Sequence, residues 1–204
     1  TDTHWRRYLP GIYYNMHSLG VLISATGLMP RRVMAMDVCT KSTLESDQVY
    51  YNKSPGGIAL YEMENGAVFR STGCCRISSP GGKWFRLSCD KGTIETTREN
   101  QDRVLLHMND KVGCSMYDPD EQYTEEEKEI GGHGGADARL CKQVCDYLSG
   151  KVEEPIFDIY RGVTLSLAGI YGLYSILDGK SYDIPDPRDK AAREVLRGDY
   201  RTPF

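Results

Sequence analysis

The chain has 204 residues, of which 40% are apolar and 26% charged, and its formal net charge is −4. This length predicts one large domain or at most two small ones, with enough apolar material for a core. A mildly acidic chain lacks the basic excess that attracts nucleic acid or an anionic membrane, and no apolar run approaches the roughly 20 residues of a spanning helix. We therefore expect a soluble globular protein whose partners include neither nucleic acid nor a membrane.

The seven cysteines are scattered, and no two have the Cys-x-x-Cys spacing of a zinc or redox site. In a chain of this length, reduced and partly buried thiols are favoured over a disulfide framework. This predicts a reducing compartment, and we expect a cytoplasmic protein. The sequence begins at Thr1 without an initiator methionine, so we expect it to be a fragment of a longer polypeptide.

The first part of the chain predicts a helix and then a strand. Apolar residues recur at near-helical spacing over residues 15–26, and Gly27 is a natural stop. After Pro30, residues 32–38 form an extended apolar run. Residues 58–63 and 67–72 then flank Asn65-Gly66, the strongest short-range hairpin signal.

A second hairpin is predicted where residues 83–88 and 93–96 flank the turn at 90–92, and residues 103–108 predict a further strand. Consecutive hairpins without an intervening helix predict an antiparallel meander. The acidic segment 118–129 is read either as an acidic ligand or metal site or as a solvated loop without core contacts. Its lack of aliphatic side chains favours the loop.

The last part of the chain predicts helices over residues 138–148, 159–177 and 189–196. Strands followed by helices predict an α+β fold, a large and mostly antiparallel open β-sheet with helices packed on one face. The residues expected to face inward are Leu140, Val144 and Leu148 on the first helix, and Val163, Leu167, Ile170, Leu173, Tyr174 and Leu177 on the second.

Two small clusters carry polar chemistry. Tyr14 and His17 stand on one helical face at i, i+3, where a phenol and an imidazole can hydrogen-bond or exchange protons with a polyhydroxylated ligand. A structural histidine satisfied at a helix start is the alternative. His133 lies among four glycines, and Asp137 stands where an N-cap begins the next helix, so a flexible loop with a cap is the alternative to a ligand loop. Neither a Gly-x-Gly-x-x-Gly motif nor a complete Gly-x-x-x-x-Gly-Lys-Ser/Thr phosphate loop occurs in the sequence.

These segments, in this order, resemble a known family. Residues 13–20 with 26–33 are similar to the start of the C-terminal domain of the glucose–fructose oxidoreductase/inositol dehydrogenase (Gfo/Idh/MocA) family. The segment 132–137, then Asp158, Tyr160 and residues 182–186 are similar to its closing His-Gly-Gly-x-Asp and Ile-Pro-Asp segments. The resemblance covers nearly the whole chain.

The resemblance implies one substrate-binding and oligomerisation domain over residues 1–204, and a Rossmann domain, absent from this chain, that holds NAD or NADP. The implied substrate is a sugar or polyol, and the chain alone is expected to bind no cofactor and to be inactive. His17 is implied as the catalytic base and Tyr14 as its catalytic partner. The residues implied to bind substrate are Tyr13, Asn15, His133 and Asp137.

Two departures from the family pattern refine this expectation. Tyr13 stands where many of the family's dehydrogenases carry an aspartate four residues before the catalytic histidine, and Pro187 replaces an aromatic residue after Pro-Asp. The form Tyr14-x-x-His17 is similar to the branch of NAD-dependent α-N-acetylgalactosaminidases, which implies glycoside cleavage as an alternative to oxidation.

A function of another class is a non-catalytic oligomerisation or assembly module. Ile58 and Leu60 alternate with Ala59 and Tyr61, so one predicted strand has apolar groups on both faces. An open sheet face of this kind often pairs between subunits. We therefore expect a homo-oligomer built through the sheet.

Overall fold

The computed structural model describes residues 10–38, 56–74, 83–98, 103–118, 123–130, 132–155 and 157–196. Residues 119–122 of the acidic segment, Gly131 and the cysteines Cys39 and Cys75 lie outside these ranges. The chain divides into two compact units, one formed by Thr1–Pro80 with Ile159–Phe204 and the other by Gly81–Asp158.

The chain begins its described part with a 3₁₀ helix, Gly11–Asn15, and further elements follow in sequence order. The helices are α1 (Met16–Thr26), α2 (Glu125–Ile130), α3 (Ala136–Leu148), α4 (Ile159–Asp178) and α5 (Lys190–Leu196). The strands are β1 (Pro30–Val38), β2 (Gly56–Met63), β3 (Val68–Cys74), β4 (Arg86–Ser88), β5 (Gly92–Thr96), β6 (Val104–Met108), β7 (Ser115–Tyr117) and β8 (Tyr182–Asp183).

The sheet of the first unit has the order β3-β2-β1-β8, with antiparallel neighbours. The hairpin predicted at Asn65-Gly66 is confirmed: the Met63 N–H donates to the Ala67 carbonyl at 2.8 Å, and Gly66 has a φ of +84°. Helix α1 ends as predicted, because Gly27 adopts a left-handed φ of 71° and donates to the Ile23 carbonyl.

Among the described residues, helices cover only one face of this sheet. Helix α4 packs on β1, and α1 packs on β3 and on α4. Along β2, residues alternate strictly between buried and exposed from Gly57 to Met63. Ala59, Tyr61 and Met63 are therefore in the core, while Ile58 and Leu60 face outward at 44% and 46% exposure. Helices on one face of an antiparallel sheet define an α+β unit, as predicted.

Helix α4 has the predicted extent, and its buried face agrees in part with the predicted one. Leu167, Leu173 and Tyr174 are buried as predicted, whereas Leu177 is 57% exposed. Thr164 and Ser175 are buried instead. Small residues also let α4 approach the 3₁₀ helix: a Cβ at Gly172 would lie 3.0 Å from Ile12 Cγ1, and one at Gly169 would lie 3.4 Å from the Tyr13 Cα. The apolar periodicity missed these polar and small contact residues.

We expect Ser175→Ala to lower the free energy of unfolding by about 1–3 kcal/mol. In the core, the Ser175 hydroxyl accepts a hydrogen bond from the Ala35 N–H at 2.9 Å. Strand β8 pairs with Arg32 and Val33 of β1 and does not reach Ala35. Urea unfolding of the purified chain measures the loss. The control is Ser166→Ala in the same helix, where an exposed hydroxyl bonds Gly162, with an effect within about 0.5 kcal/mol. Equal losses in both variants would contradict a special role for Ser175.

The second unit contains the sheet β4-β5-β6-β7, which is also antiparallel. The turn at Asp90–Gly92 is confirmed by the Cys89 N–H, which donates to the Gly92 carbonyl at 2.8 Å. Part of the acidic segment forms α2, so the predicted loop is wrong over Glu125–Glu129. The face of α3 predicted to be buried is exposed: Leu140 is 55%, Val144 48% and Leu148 76% accessible.

The α+β class with antiparallel sheets is confirmed, but the predicted meander is not continuous. The described strands form two separate four-stranded sheets, and no strand of one is hydrogen-bonded to a strand of the other. Short turns fix the pairings β2–β3 and β4–β5, whereas residues 75–85 are far longer than a hairpin loop of about 2–5 residues. No local signal therefore required β3 and β4 to pair.

Candidate functional site

The Tyr14–His17 pair forms where the 3₁₀ helix passes into α1. The two rings are stacked, with centroids 5.9 Å apart and planes inclined by 22°. His17 is exposed and Tyr14 is half-buried. The side chains therefore share one face, as the i, i+3 spacing predicted, and the imidazole is accessible to a ligand.

Tyr13 is held against helix α4. It is half-buried, and its Cα and Cδ1 lie 3.4 and 3.5 Å from the position of a Cβ on Gly169. Burial raises the pKa of the Tyr13 phenol above its ordinary value. The phenol therefore stays protonated at neutral pH and can donate a hydrogen bond. Tyr13 is placed next to Tyr14 by the same segment that supplies His17.

Asn15 lies in the core and not on the surface that carries His17. Its exposure is 1%, and its side chain lies close to the buried Tyr61 phenol. Its Oδ1 would lie 2.8 Å from a Cβ on Gly73. Its carbonyl accepts the Ser18 hydroxyl at 3.0 Å, which ties the first turn of α1 to this segment. Because Asn15 is buried, its position does not support the predicted direct contact with substrate.

The second cluster is a strained loop before α3. His133 has a φ of +53°, an unusual value for a residue other than glycine, and Gly134 follows at +67°. The His133 Nδ1 lies 2.9 and 3.0 Å from the two carboxylate oxygens of Asp137. An Nδ1–H that donates to this carboxylate leaves Nε2 as an acceptor on a side chain that is 82% exposed.

The structure corrects the predicted role of Asp137 as an N-cap. Gly135 is the N-cap residue of α3 and makes no side-chain cap, while Asp137 lies in the first turn and binds His133. A Cβ on Gly132 would lie 2.6 Å from Asp137 Oδ2, so a larger residue there would displace this carboxylate. The spacing of four residues between His133 and Asp137 is the signal from which this pairing could have been predicted.

An ion pair between α2 and α3 supports this loop. Arg139 donates to both Glu127 oxygens, at 2.9 and 2.7 Å, and its guanidinium lies 4.4 Å from the Tyr123 ring centroid. Tyr123 in turn packs against Gly135 at the start of α3. Hydrogen bonds from Arg139 lower the pKa of Glu127 to about 2. The acidic segment therefore contributes a structural carboxylate that was not predicted.

We expect the second unit to lose the stability that ionised Glu127 contributes when the pH is lowered. The pKa of Glu127 is lowered from 4.5 to about 2, so its contribution is fully present above pH 4.5 and is lost as the pH falls toward 2. Urea unfolding of wild type and Glu127→Gln at pH 6 and pH 3 measures this. The stability difference should shrink at pH 3. Glu126→Gln, an exposed neighbour on α2, is the control, and a difference that stays constant with pH would contradict the assignment.

The two clusters belong to different units. Tyr14 and His17 lie in the unit formed by Thr1–Pro80 with Ile159–Phe204, and His133 and Asp137 lie in Gly81–Asp158. Each cluster is therefore described by itself, and their convergence on one substrate stays a prediction. Within the described residues, no group of three or more His, Cys, Asp or Glu side chains is arranged to hold a metal ion.

One polar contact of the second unit was missed. His107 and Glu95 approach across strands β5 and β6, with 3.2 Å between Nε2 and Oε1. In the β5–β6 register, His107 pairs with Thr93 and lies diagonally from Glu95. The signal was therefore an antiparallel pairing of the predicted strand 103–108 with residues 93–96. No described helix is long and apolar enough to span a membrane.

Comparison with known proteins supports the fold. No family model matches the chain, and no curated protein matches it by sequence. Solved structures match at 12–16% identity. An aldose-aldose oxidoreductase from Caulobacter crescentus is 15% identical with a TM-score of 0.63, and the match covers 90% of this chain and 51% of that chain. An inositol dehydrogenase homolog from Azotobacter vinelandii is 16% identical with a TM-score of 0.60 (83% of this chain, 48% of that chain), and an NAD binding oxidoreductase from Klebsiella pneumoniae is 12% identical with a TM-score of 0.64 (83% of this chain, 49% of that chain).

These matches show which fold the chain has. It shares the fold of oxidoreductases of the Gfo/Idh/MocA type, as the sequence resemblance implied. The chain spans about half the length of each of these structures. At this identity the matches establish the fold alone, and the chemistry is argued from the site.

Proposed function

We propose that this chain is the substrate-binding and oligomerisation domain of an NAD(P)-dependent oxidoreductase that acts on a sugar or polyol. The observation that carries the proposal is the exposed His17 imidazole stacked on Tyr14, in a fold shared with an aldose-aldose oxidoreductase and an inositol dehydrogenase homolog. The structures of such neighbours include complexes with NADH and with myo-inositol. The oxidoreductase role of the fold is thus supported, and the substrate class is inferred.

The described residues do not suit a nicotinamide dinucleotide. Such a cofactor needs a glycine-rich turn between a strand and a helix. The glycine pair of this chain that precedes a long strand, Gly56-Gly57, opens β2 itself, and the loop at Gly134-Gly135 follows a helix. The cofactor is therefore assigned to a Rossmann domain outside this chain, and no reaction step of this chain passes through it.

His17 and Tyr14 supply the proton chemistry. Oxidation of a hydroxyl carbon requires loss of the hydroxyl proton, and the accessible His17 imidazole accepts it. Tyr14 limits rotation of the imidazole through the stacked contact and hydrogen-bonds the substrate through its phenol. The neighbouring Tyr13 phenol, which stays protonated, donates to a second hydroxyl. Asn15 contributes from the core by holding this segment in place.

His133 and Asp137 contribute a hydrogen-bond acceptor. Asp137 fixes the Nδ1–H of His133, so Nε2 accepts a hydrogen bond from a substrate hydroxyl. Backbone strain at His133 supports a functional constraint, because a non-glycine residue in the left-handed region is held there at a cost of order 1–3 kcal/mol. In this proposal the two clusters contact the same substrate.

Glycoside cleavage is a second chemistry for the same residues. Tyr13 replaces the aspartate that many of the family's dehydrogenases carry four residues before the histidine, which favours this branch. Transfer of hydride from C3 of a glycoside to the coenzyme of the separate Rossmann domain would acidify the adjacent C–H bond and permit elimination of the aglycone. Later return of the hydride would restore the oxidised coenzyme. Product analysis separates the two chemistries: cleavage releases the aglycone without net reduction of coenzyme.

A coenzyme reduction assay tests the proposal. We expect the full-length protein to reduce NAD⁺ or NADP⁺ with at least one member of a panel of hexoses, inositols and N-acetylhexosaminides, or to release the aglycone of a glycoside. The chain Thr1–Phe204 alone is expected to do neither. An upstream reading frame without a strand, glycine-rich turn and helix would favour the assembly module. Inactivity of the full-length protein against the whole panel would contradict the proposal.

A further inference from the structure

A cavity of about 560 Å³ lies in the first unit, away from the Tyr14–His17 pair. Its wall combines the start of β1, the end of β2, one residue of α4 and the segment from Asp183 to Asp189. The residues used below are Arg31, Arg32, Glu62, Thr164, Asp183 and Arg188. The volume lies within the roughly 300–1,000 Å³ of small-molecule sites.

The cavity and His17 are at opposite ends of α1. His17 is the second residue of this helix, whereas the cavity wall begins at Met29, just beyond the last helical residue, Thr26. A rise of 1.5 Å per residue separates His17 from Thr26 by roughly 14 Å along the axis. A ligand in the cavity therefore does not contact His17, and the inference does not depend on the proposed function.

Ion pairs hold the wall in position before any ligand arrives. The Arg32 Nε lies 2.7 Å from Asp183 Oδ1, and Arg188 Nη2 lies 2.7 Å from Asp186 and 3.1 Å from Glu64. Hydrogen bonds from Arg188 hold the pKa of Asp186 below its ordinary value, with a smaller effect from the charge of Arg31. The Asp186 carboxylate is thus an ionised hydrogen-bond acceptor at neutral pH.

Two groups of the wall have unused hydrogen-bonding capacity. Arg31 is exposed and has no ion-pair partner in the described part of the chain. Thr164 is 2% exposed, and its hydroxyl oxygen has no hydrogen-bond partner among the described residues. A buried polar group without a partner is costly, so a hydroxyl at this wall favours a ligand or water that can pair with it.

The charge of the wall restricts the class of ligand. Five carboxylates and three guanidinium groups give it a net charge of −2, which disfavours an anion. Carboxylates only accept hydrogen bonds and guanidinium groups only donate them, whereas a hydroxyl does both. We propose that this cavity binds a polyhydroxylated ligand without net negative charge, a monosaccharide or polyol, through Arg31, Thr164 and the carboxylates of Glu62 and Asp183.

Hydrogen exchange of the full-length protein, titrated with D-glucose, tests this proposal. We expect protection of the segments 29–32 and 183–189, and we expect D-glucosamine to protect them as well and D-glucuronate to protect them much less. Arg31→Ala should weaken the apparent affinity about tenfold, since it removes a charged hydrogen-bond donor. Arg70→Ala, which removes an exposed arginine of β3 outside the cavity wall, should have no effect.

Further variants separate this site from the proposed function. His17→Ala should leave the protection of residues 29–32 and 183–189 unchanged. A loss of protection confined to residues 11–20 would bear on the proposed function and would leave the cavity proposal intact. Thr164→Val keeps the side-chain shape, so weaker binding with an unchanged or higher Tm is expected. Stronger protection by glucuronate than by glucose, no protection of these segments, or equal affinity of Arg31→Ala and wild type would each overturn the proposal.

Discussion

Replacement of His17 by alanine in the full-length protein is expected to lower kcat for the proposed sugar or polyol substrate about 10²–10⁴-fold. The imidazole is the group assigned to accept the hydroxyl proton, and alanine cannot replace it. Because His17 is exposed, its removal should change the free energy of unfolding by no more than about 0.5 kcal/mol. Steady-state kinetics and urea unfolding of the same preparation measure both quantities.

Two variants serve as controls for this result. Tyr14→Phe keeps the ring that stacks on His17 and removes only the phenol, so a smaller loss in kcat is expected. His107→Ala removes a histidine that lies on β6 beside Glu95, and kcat should stay near wild type. Full activity of His17→Ala would contradict the assignment of the base, and equal losses in His17→Ala and His107→Ala would indicate an effect on folding.

The uncovered face of the first sheet is expected to make the protein a dimer or larger oligomer. Met34 pairs with Leu60 and Met36 with Ile58 across β1 and β2, and the four side chains are 42–64% exposed. In the described part of the chain, helices cover one side of this sheet, and a contiguous apolar patch on the other side is typical of a subunit interface. Burial of this patch between two copies removes apolar surface from water, which stabilises the oligomer.

Light scattering of the purified chain measures this oligomer. Wild type should exceed the monomer mass of 23.0 kDa, and Leu60→Glu should shift it toward the monomer, because each copy would place a charged carboxylate in the apolar patch. Leu177→Glu is the matched control, since Leu177 is exposed on α4 and not on the outer sheet face. A mass of 23.0 kDa for wild type at every concentration would contradict the prediction.

Local sequence determined the elements and their ends. The stop of α1 at Gly27, the turn at Asn65-Gly66 and the extent of α4 follow from residues adjacent in the chain. The pair Tyr14–His17 was predictable for the same reason, because i, i+3 spacing alone places two side chains on one helical face. Such features depend on backbone preferences within one turn or hairpin, which the sequence carries directly.

Tertiary structure decided which surfaces meet. Asn15 is adjacent to Tyr14 in sequence, yet it is buried because the 3₁₀ helix packs against β2, β3 and α4. Strand β8 pairs only with Arg32 and Val33 of β1, and the hydroxyl of the buried Ser175 on α4 accepts the hydrogen bond of the Ala35 N–H. On the same helix, Leu177 faces outward. Whether β3 and β4 share a sheet, and which side of α3 is covered, also depend on contacts between distant segments. The free energy of such contacts depends on surfaces that only the folded chain brings together, so hydrophobic periodicity alone could not predict them.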